Sequence, residues 1–248
     1  MAESQLLTDW RFWSFIVSFT ALVLSQLPPV HVLLRKAKLD LEVYSRIFMT
    51  HKIGNPNLEM HLIIRNLGGK SLRVKKISTK LFRDNKHIAE LPAQTYFPDP
   101  KTNNRIVLTS FDLKPDHEWN HRTCFFHYFD RNDEKAYREG EKQLKDEISR
   151  LVTLNGDKQQ VPEVGESFVT PFFEFFDEKF IWHPGEYRFE IQIETDCEKA
   201  NVSKQYRFTI FESMTDSFLN HKKGFYSGIG IYWDSPQYTG EWIEIESK

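Results

Sequence analysis

Cysteine is scarce: the chain carries two, Cys124 and Cys197, in 248 residues. So few over this length make no disulfide framework, and the simplest expectation is two reduced, mostly buried thiols. A pairing between them stays open. An excess of one charge is also missing. Lys plus Arg number 33 against 35 Asp plus Glu, which excludes the strongly basic footprint of a dedicated nucleic-acid binder. No internal repeat and no low-complexity stretch occurs. Gly224, Gly228 and Gly230 do not follow a strand and open a helix, so a phosphate-cradling loop is excluded. Charge is absent altogether from 12 to 34, FWSFIVSFTALVLSQLPPVHVLL, where no Asp, Glu, Lys or Arg occurs.

That uncharged run is long enough to cross a bilayer as a helix. The start, MAESQLLTDWRF, lacks the basic residues of a secretory signal, and no convincing small-residue cleavage site follows Leu24. An uncleaved anchor is therefore expected. Trp10 and Trp13 sit where interfacial aromatic anchors belong. Pro28 and Pro29 end or kink the helix near its far side. The N-terminal flank carries Glu3, Asp9 and Arg11, and the C-terminal flank carries Arg35, Lys36 and Lys38. Positive residues stay inside, so the large domain is expected to face the cytoplasm from the inner membrane, with the basic flank touching anionic lipid. Ser14, Ser18 and Ala21 form a small-residue stripe suited to helix–helix contact in an oligomer. The organisation is thus residues 1–38 as anchor and flank, and residues 39–248 as one domain.

What is abundant is aromatic: 21 Phe, 9 Tyr and 6 Trp, a composition that favours strands and sandwich cores. Strands are expected at Leu39, Leu41 and Val43, and at Leu58, Met60, Leu62 and Ile64, the second ended by a turn at Asn66-Leu67-Gly68-Gly69. Alternation resumes at Leu72 and Val74, slips at Lys75-Lys76, and continues at Ile77, Thr79 and Leu81. The slip predicts a β-bulge. Further strands are expected near 86–91, 104–113, 119–129, 166–176, 183–195 (Tyr187, Phe189, Ile191, Ile193 inward) and around Tyr206, Phe208 and Ile210. GIGIYWD and EWIEI supply two short ones. One helix is expected over 133–152, with Asn132 as its cap and Tyr137, Gly140, Leu144, Ile148 and Leu151 as its apolar stripe. The fold class is mainly β, an antiparallel sandwich with one inserted helix.

The runs LIIRNLGGKSLRVKKI and PGEYRFEIQI resemble strand pairs of immunoglobulin-like β-sandwiches in bacterial single-pass membrane-anchored proteins. The resemblance covers about residues 39–213. It implies a corner tyrosine at Tyr187, its hydroxyl bonded to backbone upstream, and a bacterial origin. The helix at 133–152 departs from it, and a shared fold does not assign function.

One motif carries chemistry. HEWNH, 117–121, matches the zinc-hydrolase signature: His117 and His121 as ligands, Glu118 as base, and Glu141 as third ligand from the following helix. The flanks LKPD and RTCFFHYF favour a strand instead. On a strand, the two imidazoles stand about 13 Å apart, too far to share one ion. His127, between Phe126 and Tyr128, reads as a core histidine. Lys70, Arg73, Lys75 and Lys76 read as a solvated outer face, or as a contact for anionic lipid or an anionic partner. Asn201-Val202-Ser203 matches a glycosylation sequon, which matters only for a secreted chain.

Three functions follow. The first is a non-enzymatic, membrane-tethered module that binds a protein or other partner and needs no cofactor. The second is a tethered zinc hydrolase. The third is a structural subunit of an envelope or defence complex, assembled through its membrane helix.

Overall fold

The computed structural model describes residues 10–26, 35–99, 101–155, 161–235 and 240–247. Twelve antiparallel strands form one nearly closed sheet. Its logic begins at β3 (Asn55–Asn66). There Leu58, Met60, Leu62 and Ile64 alternate inward, each at most 1% exposed. β1 (Leu39–Val43) and β2 (Arg46–Lys52) share one flank of β3, pairing with residues 62–66 and 55–59. β8 (Glu118–Phe126) covers the other flank. The β2–β3 connection is the pair Ile53-Gly54, both with positive φ. A side chain at Gly54 would meet the Phe176 carbonyl oxygen at 2.4 Å, so only glycine lets this turn lie against the helix behind it.

β5 (Lys86–Phe97) and the C-terminal segment close the sheet by joining strands that are otherwise apart. β5 pairs with β4 (Leu72–Arg83) up to Pro92, then crosses to β8 from Ala93. Proline cannot donate to a ladder, so it marks the crossing. β6 (Ile106–Val107) pairs back on Thr95 and Tyr96 of β5. β7 (Phe111–Leu113) takes the place beside β4 that β5 leaves. On the far side β9 (Gly185–Thr195) joins β4 to β10 (Val202–Ile210). The C-terminal segment then bridges the last gap. β11 (Glu241–Glu244) pairs with β2, and β12 (Glu246–Ser247) pairs with β10. Lys204 and Asp40, 3.1 Å apart, tie β10 to β1 across the seam.

The bulge expected at Lys75-Lys76 is present as a register shift between Val74 and Lys76. Tyr187, Phe189, Ile191 and Ile193 are buried, as are Tyr206, Phe208 and Ile210. The Tyr187 hydroxyl donates toward the carbonyls of Ile181 and His183, at 2.7 and 2.9 Å, and accepts from the His183 amide.

The helices require corrections. α1 (Trp10–Gln26) is 17 residues long, about 25 Å of helix against about 30 Å of hydrocarbon. Among the described residues no helix is long and apolar enough to cross a membrane. Residues 27–34 of the expected span, with Pro28 and Pro29, lie outside those described. α2 (Arg131–Asn155) is the expected inserted helix. Its cap is Asp130, not Asn132: the Asp130 carboxylate accepts from the Asn132 and Asp133 amides at 2.7 and 2.9 Å.

The stretch 166–176 is not a strand. It lies within α3 (Glu166–Lys179), which buries Val169, Phe172 and Phe176. Those spacings of three and four are helical, and the density of phenylalanine masked them. Pro171, the sixth residue, cannot donate the amide that would close onto the Ser167 carbonyl, so the helix forms with one bond fewer. α4 (Glu212–Asn220), followed by a 3-10 turn at His221–Ser227, adds a further helix. GIGIYWD forms turns and an isolated bridge between Ile229 and Trp233, not a strand.

α2, α3 and α4 pack together and fasten to β2. The Trp182 indole donates to the Thr50 carbonyl at 3.0 Å, and Thr215 donates to the Trp182 carbonyl at 3.0 Å. Trp182 is fully buried.

Candidate ligand-binding groove

The outer face of β2, β3, β8 and β5 is not the solvated face that alternation implies. Cross-strand register lines up Thr95, Cys124, Glu59, Phe48 and Trp242 in one row, and Phe97, Arg122 and His61 in the next. The helical layer and the loop leading to Arg105 rise on either side. Between them lies an open groove of about 940 Å³, within the size range of small-molecule sites.

Glu59 is the centre of its floor and only 6% exposed. A buried carboxylate needs charge compensation. Arg105 donates to it at 2.7 Å, and the Arg122 guanidinium approaches to 3.7 Å. Both guanidiniums lie over the Phe97 ring, with their central carbons 5.1 and 3.6 Å from its centroid. Cation–π contact and ion pairing together fix the arginines on the groove wall. Asn57, beside them on β3, has a buried side-chain oxygen with no hydrogen-bond partner among the described residues.

The other end of the groove is polar but committed. Lys52 donates to the Ile231 carbonyl at 2.5 Å, and the Tyr137 hydroxyl donates to the same oxygen at 2.5 Å. Burial lowers the Lys52 ammonium and pushes the Tyr137 phenol up to about 12. Arg138 is held by Glu134 at 2.7 Å and Glu141 at 3.2 Å. Aromatic rings finish the walls. Trp242 is 55% and Tyr128 62% exposed, and Phe48 sits 5.1 Å from Trp242.

The HEWNH residues and the basic residues singled out in the sequence do not line the groove. His117 precedes β8, while Glu118 and His121 are in it. HEWNH is thus in a strand context, and alternation turns successive side chains to opposite faces. His117 bonds the Pro115 carbonyl at 2.9 Å, and His121 packs on Tyr96 and Trp119. Arg65 donates to Glu118 at 3.1 Å, and this hydrogen bond, with that from Asn120, holds the Glu118 carboxyl below its usual range. A general base is normally tuned upward, toward neutrality. Glu141 lies on α2, bonded by Lys145 at 3.0 Å. Among the described residues no three His, Cys, Asp or Glu side chains are grouped to hold a metal ion.

Lys76 pairs with Glu90 at 3.1 Å, and Arg73 donates to Ser110. Lys70 and Lys75 are exposed, with no acidic partner among the described residues. Arg35 pairs with Asp116 at 2.8 Å. Lys36 and Lys38 precede β1. Trp10, Trp13, Ser14, Ser18 and Ala21 all lie exposed on α1. Cys124 and Cys197 are both free thiols. His127 is exposed, not core; its ring bonds the Glu90 carbonyl at 2.6 Å.

Reading the sequence missed Glu59, Arg105 and Arg122. Asn55, Asn57 and Glu59 occupy the polar phase of β3, which a sequence assigns to solvent. Only the long-range approach of Phe97 and the loop to Arg105 buries that face. Neither the family models nor the curated proteins compared with this chain give a match.

Proposed function

We propose that this protein is a non-enzymatic, membrane-tethered binding module whose ligand or partner seats in the groove. The observation that carries this reading is the groove itself. It combines an open apolar wall with polar groups, Arg122 and Asn57, whose hydrogen-bonding capacity the fold leaves unspent. Lys52, Tyr137 and Arg138, at the other end, are already bonded to protein groups.

The tether rests on α1. Phe15, Val17, Phe19 and Leu22 are each more than half exposed. An apolar surface of that extent needs cover, and a bilayer supplies it. The sequence stays uncharged through Leu34, which gives the uncharged run the length that a span needs. Arg35, Lys36 and Lys38 support a domain on the cytoplasmic side of the inner membrane, because positive flanks stay inside. Lys70 and Lys75 are free to meet anionic lipid head groups. The immunoglobulin-like reading of the sandwich rests on the Tyr187 corner, and the bridging strands β5 and β11–β12 are its departures.

Two measurements test this. The full chain should remain in the membrane pellet after alkaline carbonate extraction; recovery in the supernatant overturns the tether. A photo-crosslinking residue at Trp242 should give a discrete adduct in native membranes, whereas one at exposed Lys199 should not. Equal labelling at both positions overturns the groove as the site.

A further inference from the structure

We infer that the groove recognises an oxyanion, a phosphate or carboxylate group borne on a flat apolar body. The inference rests on the groove being the binding site and names the chemistry that fills it.

Charge is the first argument. Around Phe97 two guanidiniums, Arg105 and Arg122, face one carboxylate, Glu59. One ion pair is complete at 2.7 Å and the other is not, so one positive charge is left over. Along the rest of the groove the cations are occupied: Arg138 by Glu134 and Glu141, and Lys52 by the Ile231 carbonyl. The surplus therefore sits at the arginine pair.

Hydrogen-bonding capacity is the second. Arginine carries five N–H donors in a planar fork. Arg122 donates no hydrogen bond among the described residues; its nearest carboxylate oxygen is 3.7 Å away. Yet its position is fixed, because its face is stacked on Phe97 at 3.6 Å. Stacking occupies the face and leaves the edge donors available. A positioned fork with unused donors matches the two oxygens of a carboxylate or phosphate. Were Arg122 present only to neutralise Glu59, a direct hydrogen bond like that of Arg105 would be the better solution.

Shape is the third. The row that carries Glu59 continues to Phe48 and Trp242, which supplies an aromatic wall beside the charged one, its exposed Trp242 indole a flat face for a ring. A ring attached to the anionic group fits that wall.

The test uses the full chain in detergent micelles, with thermal unfolding followed at constant ionic strength. Inorganic phosphate or benzoate replacing chloride should raise the melting temperature of the wild type saturably, by binding the folded state. Arg122→Gln should weaken the apparent affinity roughly tenfold to hundredfold. Lys199→Gln, outside the groove, should leave it unchanged. Arg122→Lys keeps the charge and loses the fork, so it should fold like the wild type and bind more weakly; it serves if Arg122→Gln does not fold. A second arm separates free anions from lipid head groups. In nanodiscs, an Arg122-dependent rise that appears only with phosphatidylglycerol, and not with soluble anions over phosphatidylcholine, assigns the oxyanion to a lipid. Shifts that are absent, or equal in the Arg122 variants, overturn the inference. If the Trp242 crosslink still forms in that event, the groove binds something uncharged and the binding reading survives.

Discussion

The imidazoles of His51 and His221 lie 4.8 Å apart, tilted by 48°, among the rings of Phe176, Phe180 and Phe218. Burial first, and then the neighbouring His221, push His51 down to about 3; burial pushes His221 down to about 4. Both are therefore neutral when folded at neutral pH. In the unfolded chain each regains an ordinary value near 6.5. Between those values the unfolded state binds more protons, so stability rises with pH and falls as pH drops. We expect denaturation midpoints to decline steadily from about pH 6.5 toward pH 4, before most carboxylates titrate. His51→Phe should flatten that slope, even if it shifts absolute stability. A profile flat down to pH 4.5 in the wild type contradicts the burial of this pair.

Neither histidine stood out in the sequence. His51 follows a strand pattern and His221 sits in a polar run; their meeting depends on α3 and α4 folding over β2. What was legible is local. Alternation placed Leu62, Ile64, Tyr187 and Phe208 inward, and the phase slip placed the bulge at Lys75. What was not legible is non-local or degenerate. Phe172 and Phe176 satisfy strand and helix patterns alike when every neighbour is aromatic. The closure by β5 and by β11–β12 depends on which edges meet, and alternation is silent on that.

The two thiols should differ in reactivity. Cys124 is fully buried on β8, and burial pushes its pKa up to about 11. Cys197 is part-exposed in the turn after β9. Thiolate is the reactive form. Ellman's reagent should therefore titrate one thiol per chain in the native protein and two in guanidinium. Two fast thiols in the native state would mean that the β3–β8–β5 face opens in solution.

Asn66 organises the base of the domain from a fully buried position. Its amide donates to the carbonyls of Lys70 and Leu113, each at 2.8 Å, and its oxygen accepts from the Gly68 amide. A side chain at Gly68 would meet the Lys36 carbonyl at 2.9 Å, so the basic flank is threaded over this turn. Asn66→Ala should cost about 2–3 kcal/mol by leaving buried backbone groups unpaired. Urea denaturation measures it. A change below ~0.5 kcal/mol would show that water replaces the amide.

The strand context of HEWNH makes a prediction about zinc. Elemental analysis of the purified chain should find far less than one zinc per molecule, and His117→Ala and His121→Ala should not change it. Stoichiometric metal lost in both variants would restore Glu118 as a general base and the hydrolase reading with it.

The topology of the proposed tether can be tested at the flank that Arg35 begins. Arg35 pairs with Asp116, and the Lys38 carbonyl accepts from the Leu67 amide at 2.9 Å, so the basic segment is fastened to the domain. An exposed ion pair of this kind adds little stability. The weight of Arg35, Lys36 and Lys38 is therefore in orientation, where cationic residues near a span resist translocation. A fluorescent protein fused after Lys248 should be bright and alkaline phosphatase there inactive. Changing Arg35, Lys36 and Lys38 to Gln while replacing Glu3 and Asp9 by Lys should invert a measurable fraction of chains. Because the Asn66–Gly68 turn and not charge holds the flank to the domain, those substitutions should leave the melting temperature nearly unchanged. Active alkaline phosphatase on the unaltered chain would put the groove outside the cytoplasm, and a phosphate or carboxylate ligand would then come from that compartment.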